Sequence, residues 1–263
     1  RTLSMADGAL LIIDAQEGPM PQTRSVLKLA LALHLKVIVV INKIDKKHAR
    51  IDESMRRVGD LFLDMASSDG QLDFPVLYAI GKRGVVFDAV PNDIDAEGSV
   101  KPLLDTIISA VPAPHQPTDQ PFKMVVSSLD YDSHLGRIAI GKIHQGSVSE
   151  GARVVRSQNP SESFPVASVM VASGLGRVKT PTAYAGDIVS LSGIGKLSIG
   201  DTIADQSDTA PLSAPLVSEP TLHVTLGPNT SPFAGREGQF TTSRQLAERL
   251  ARELENNVSL RVE

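Results

Sequence analysis

The sequence has 263 residues, of which 41% are hydrophobic and 21% charged, and it carries a net charge of −4. A protein that holds bulk nucleic acid by electrostatics is usually basic, so this balance argues against a simple RNA coat, though not against a local basic face. With no cysteine the chain has no disulfides, thiolate metal sites or cysteine catalysis. No apolar run approaches the roughly 18 residues that span a bilayer, so no membrane partner is expected.

In chain order, Ala9–Asp14 is a short, almost continuous apolar run, as expected of a strand buried on both faces. Pro19–His34 predicts a helix, with prolines where helix starts tolerate them. Val37–Ile41 predicts a second buried strand, Ile51–Met65 a helix with the stripe Met55, Val58, Leu61, Phe62 and Met65, Pro75–Ile80 a third strand, and Leu103–Val111 a closing helix. Strands alternating with helices imply a parallel sheet with right-handed crossovers.

Four prolines between Pro112 and Pro121 then mark a linker. Beyond it the texture changes to short β-type segments (123–126, 137–143, 152–155, 187–191) punctuated by glycines, which predicts a small antiparallel barrel. A second Pro/Ser-rich join, Pro211–Pro220, leads to a predicted strand at Thr221–Leu226, an amphipathic helix at Thr242–Asn256 and a strand beginning at Ser259. One helix between two strands is too little to bury a core alone. Together with Arg1 in place of an initiating Met, this suggests an internal segment of a longer protein.

Asn42-Lys43-Ile44-Asp45 directly follows the second buried strand. A carboxylate such as Asp45 can accept two hydrogen bonds from the ring N–H and exocyclic amine that guanine has and adenine lacks, and failing to satisfy such a pair costs a few kcal/mol. Asn42 would hold the turn and approach the purine edge, and the stem of Lys43 would lie across the ring. The same four residues could instead form a turn and cap the next helix.

No Gly-x-x-x-x-Gly-Lys-Ser/Thr string occurs: Gly81-Lys82 is followed by Arg83, and Gly195-Lys196 by Leu197. No catalytic residue and no metal ligand is therefore assigned in this chain. The six histidines show no metal-ligand spacing. Lys46–Arg50 reads as a solvated segment, and Asp130 and Asp132 as a turn between strands.

The string Ile13-Asp-Ala-Gln-Glu-Gly-Pro-Met-Pro-Gln-Thr-Arg24, with Asn42-Lys43-Ile44-Asp45, resembles the guanine-nucleotide domain of translational GTPases, the elongation-factor superfamily. Leu135–Gly151 resembles the second-domain barrel of that superfamily. Asn229–Gln245 and Arg249–Glu263 resemble the BipA/TypA branch, the ribosome-associated GTPases. The resemblance implies an α/β, β-barrel and α/β architecture. Residues 1–111 would be the C-terminal part of a P-loop-type GTP-binding domain, 112–121 a linker, 122–206 the barrel, and 217–263 the beginning of a ferredoxin-like elongation-factor domain. It implies GTP or GDP as ligand, and Mg²⁺ held by residues that are not in this chain. Partners would be the ribosome, through rRNA and ribosomal proteins, in the cytoplasm, with roles in ribosome assembly or stress adaptation. The base-binding set would be Asn42, Lys43, Asp45, Ile80, Gly81 and Lys82, with a backbone N–H of the last loop approaching the guanine O6. The family usually has Ser where this chain has Ile80, which removes a support of the Asp45 loop. The alternative is a non-enzymatic ribosome-binding module without phosphate-binding machinery.

Overall fold

In the computed structural model the described residues are 2–114, 117–132, 134–195, 197–213, 223–228, 242–256 and 260–262. They group into two compact units, one of Ala6–Pro114 and one of Arg1–Met5 with His115–Glu263.

The first unit alternates strand and helix: β1 (Gly8–Asp14), α1 (Pro21–Ala32), β2 (Lys36–Asn42), α2 (Ile51–Met65), β3 (Val76–Ile80), β4 (Val85–Phe87) and α3 (Lys101–Ala110). The sheet order is β1-β2-β3-β4, with the first three strands parallel and β4 antiparallel to β3. β2 is buried from Val37 to Ile41 because both of its faces are covered. Ile38 and Val40 join Leu77, Ala79 and Val86 in a cluster sealed by Leu103 and Ile107 of α3. Val39 and Ile41 face the other side, and α1 and α2 also pack against β2.

Local chemistry fixes the helix ends. Pro21 opens α1, and the Met20 N–H donates to the Thr23 hydroxyl at 3.1 Å. The helix stops at His34, whose φ of 55° is left-handed, while the Leu35 N–H reaches the Ala30 carbonyl and the His34 N–H that of Leu31, both at 3.0 Å. That is a Schellman ending with histidine where glycine is usual. In α2, Val58 and Phe62 are buried, and Phe62 stacks on Phe74 with ring centroids 3.9 Å apart.

The second unit is antiparallel. Its strands are β5 (Lys123–Val125), β6 (Ser128–Asp132), β7 (Gly136–Gln145), β8 (Ser147–Ser149), β9 (Arg153–Arg156), β10 (Asn159–Pro165), β11 (Ser168–Ser173), β12 (Gly176–Lys179), β13 (Thr182–Tyr184), β14 (Ile188–Ser192) and β15 (Thr202–Ala204). They pair in the order β10-β9-β15-β5-β7-β14-β11-β12, with β6 also on β7 and β13 on β8. The long β7 joins both halves around one core that includes Met124, Ile143, Val169, Leu191 and Ile203. Among the described residues no pairing closes this path onto itself, so the expected barrel appears as a continuous antiparallel sheet wrapped on a shared core.

Asp130 and Asp132, expected in a turn, lie in β6. Only Asp132 serves the turn, accepting the N–H groups of His134 and Leu135. Further along, α4 spans Ser243–Asn256. His223–Leu226, expected as part of a strand, carry no regular element, and neither do 260–262. Thr221, Leu222, Ser259 and the string 229–241 lie outside the described residues. No helix among the described residues is long and apolar enough to cross a membrane.

Gly141 in β7 crosses β5 so closely that an added Cβ would stand 2.0 Å from the Val125 carbonyl oxygen. Gly141→Ala is therefore expected to destabilise the second unit by about 3 kcal/mol, seen as a lowered urea midpoint. An unchanged midpoint would show that β5 and β7 can separate freely.

Candidate base-binding site

The parallel register brings three strand ends level, with Asp14 opposite Asn42 and Asn42 opposite Ala79. The crevice outside the carboxyl ends of such a sheet is where open α/β folds hold ligands.

Asn42 ties two of these ends together. Its side-chain oxygen accepts the Lys43 N–H at 2.8 Å and the Gly81 N–H at 2.9 Å. A Cβ on Gly81 would come within 3.2 Å of that oxygen, so glycine permits the close approach. The backbone carbonyl of Asn42 takes the Ala15 N–H at 2.9 Å, which adds the end of β1.

Lys43 has a φ of 63°, a left-handed conformation that costs a non-glycine residue about 1–2 kcal/mol. Its ammonium meets Asp14 Oδ2 at 2.6 Å, while Asp14 Oδ1 accepts the Gln16 N–H at 2.8 Å. The Lys43 hydrogen bond, outweighing desolvation, holds the Asp14 carboxyl below its ordinary range, and Asp14 in turn raises the Lys43 ammonium. Ile44 is buried, anchoring the loop. The Ala15 carbonyl receives the Arg50 N–H at 2.7 Å and the Ser54 hydroxyl at 3.3 Å, which fixes the start of α2.

Between these anchors Asp45 is exposed, and its carboxylate has no hydrogen bond or ion pair among the described residues. It can thus accept two donors from a ligand. Gly81 and Lys82 are exposed in the turn joining β3 to β4, where the Arg83 N–H donates to the Ile80 carbonyl at 2.9 Å and the Gly84 N–H to that of Gly81 at 3.2 Å. Ile80 differs from the other candidates: its side chain is 1% exposed and belongs to the core, so only its backbone faces the turn. The structure thus brings Asn42, Lys43, Asp45, Gly81 and Lys82 to one edge of the sheet.

Sequence reasoning missed two participants. The Asp14–Lys43 pair could have been found, since two adjacent parallel strands each end in a polar residue at the same level. Arg83 could not, because its partners are the backbone carbonyls of Ile94, Asp95 and Ala96.

The family profile described as elongation factor Tu GTP binding domain matches residues 1–113, and elongation factor G domain 2 matches residues 121–206. The large ribosomal subunit assembly factor BipA of Escherichia coli strain K12 is 45% identical over all of this chain. The proteins of the same name from Haemophilus influenzae and Synechocystis are 44% and 43% identical, again over the whole chain. The chain belongs to the BipA/TypA branch of the translational GTPases.

It spans 42–44% of the length of these BipA/TypA relatives. Two crystal structures of the translation elongation factor SelB from Methanococcus maripaludis share the fold. The apo form has a TM-score of 0.61 at 19% identity, covering 78% of this chain and 41% of that one. The complex with the GTP analogue GppNHp has a TM-score of 0.59 at 21% identity, covering 78% and 42%. In this chain the segment matching the GTP-binding domain precedes the segment matching elongation factor G domain 2.

The Asp14–Lys43 pair has a pH signature. A carboxyl held low in the folded state contributes stability that is present above its unfolded value and lost as pH falls through the folded value. The wild type is expected to lose stability below about pH 4. Asp14→Asn should be less stable at neutral pH and flatter across that acid window. Thermal unfolding from neutral pH downward checks this, and parallel curves for the two proteins would remove the pair from the account.

Proposed function

We propose that this chain supplies the guanine-reading part of a translational GTPase that acts on the ribosome in large-subunit assembly. The observation that carries the base reading is the exposed Asp45 carboxylate, which has no partner among the described residues, set beside the Asn42–Gly81 tie and the Lys43–Asp14 pair. Asp45 would accept the guanine N1–H and 2-amino group, Lys43 would lay its stem on the ring, and the turn at Gly81 and Lys82 would face O6, with Ile80 contributing backbone alone.

The printed name of the relatives supports ribosome assembly as the setting, with rRNA and ribosomal proteins as partners and the cytoplasm as the compartment. Residues 1–111 would complete a GTP-binding domain with segments outside this chain, 122–206 would form its barrel, and 217–263 would open an elongation-factor-like α/β domain. Phosphate gripping, Mg²⁺ coordination and phosphoryl transfer belong to those outside segments, because the 263 residues contain no P-loop string. The chain by itself would then bind GDP weakly and hydrolyse no GTP.

Two measurements test this. Calorimetric titration of GDP into the 263-residue chain should show no tight binding, and turnover by it would contradict the division of labour. In the full-length protein Asp45→Asn should weaken GDP about 10- to 100-fold and favour xanthine nucleotide. Equal GDP affinity in variant and parent would remove Asp45 from base reading.

A further inference from the structure

On its inner side the turn that presents Gly81 and Lys82 is held only at Gly81, whose N–H donates to the Asn42 side-chain oxygen at 2.9 Å, while Ile80 is turned into the core and Asp45 makes no bond to the turn among the described residues. What holds its outer side is Arg83. One Arg83 guanidinium nitrogen donates to the Ile94 carbonyl at 2.7 Å, and the other to the Asp95 and Ala96 carbonyls at 3.0 and 3.1 Å. The Asp95 carboxylate adds an ion pair at 3.6 Å. The receiving segment is itself folded: Asp93 Oδ1 accepts the Asp95 N–H at 2.9 Å, and the Asp93 carbonyl accepts the Ala96 N–H at 3.2 Å. The far end of this segment is fastened to the sheet, because the Val86 N–H reaches the Ser99 carbonyl at 3.0 Å.

Arg83 thus clamps a four-residue turn to a second, independently anchored loop. A planar guanidinium with donors in a fixed fork suits this task, and a lysine would reach fewer of the carbonyls. Inside the turn the Gly81 N–H is already given to Asn42, whereas the Lys82 N–H has no acceptor among the described residues. We propose that Arg83 is a positioning residue for the base site, holding the turn so that the Lys82 N–H is aimed at the 6-oxo group of a guanine seated on Asp45. This rests on the guanine reading given above. In that reading Asp45 takes the N1–H and 2-amino edge and this turn takes O6, and Arg83 is added as the residue that holds the turn in place. Arg83 thereby stands in for the missing serine support in this chain.

The test compares nucleoside monophosphates by amide NMR titration of the 263-residue chain. The ratio of GMP to IMP affinity reports the 2-amino edge. The ratio of GMP to 6-thio-GMP affinity reports the 6-position, since sulfur is the weaker acceptor. Arg83→Ala should lower GMP affinity about 2- to 10-fold and shrink the second ratio towards one, leaving the first unchanged. Arg83→Lys should fall between Arg83→Ala and wild type. Loss of both ratios together, or no change in either, would overturn the positioning role. A wild-type chain that does not prefer GMP to AMP would instead remove the guanine reading, and the proposal with it.

Discussion

One side-chain oxygen organises the top of the first sheet. Asn42 Oδ1 accepts the N–H of its own following residue and the N–H of Gly81, 39 positions further along. The first bond closes the turn that leaves β2, and the second fastens that turn to the end of β3. An aspartate, equal in length, could accept both bonds, but it would place a charge beside the Lys43–Asp14 pair and remove the amide donor. Everything else at the site follows from this tie. Lys43 is driven into a left-handed conformation, which sends its ammonium across to Asp14 on β1. Ile44 is then pressed into the core, and Asp45 is left exposed, with no hydrogen bond or ion pair to its carboxylate among the described residues.

The resulting site is a chain of polar links across three parallel strands and one hairpin: Asp14, Lys43, Asn42, Gly81 and finally Arg83. The Asp14–Lys43 and Asn42–Gly81 links join residues 29 and 39 positions apart, so the positions of the candidate ligand-facing groups depend on the register of the sheet rather than on any one loop. The apolar interior of β2, flanked on both faces, supplies that register. In the proposed guanine site, preorganisation of this kind would let a single exposed carboxylate discriminate between bases, since little must be ordered when the ligand arrives. A carboxylate on a loose loop would lose much of that advantage.

How much of this could be seen in the sequence depends on where the determining forces lie. The α2 helix runs over the expected Ile51–Met65, because its apolar stripe, the stacked Phe62 and the polar opposite face are all local patterns. β2 was equally visible as an unbroken apolar run. β4 was not, since Val85–Phe87 is three residues long and is a strand only because β3 lies beside it. The second unit shows the same limit: β10 contains Pro160, Glu162 and Pro165, carries no alternation, and owes its extended form to pairing with β9. In the candidate site, Asn42, Lys43 and Asp45 were legible as candidates because their polar side chains directly follow a buried strand. Ile80 was placed there by its position in a motif, whereas its side chain is core. Arg83 escaped notice because main-chain carbonyls leave no trace in a sequence.

We propose that the ends of β1, β2 and β3 form a seat for guanine. A crystal structure of the 263-residue chain with GMP tests it most directly. The account predicts the base in the crevice above these strand ends, with N1 and the 2-amino group within hydrogen-bonding distance of Asp45 and the Lys43 stem over the ring. A base bound elsewhere, or seated there with another edge turned to Asp45, would contradict it.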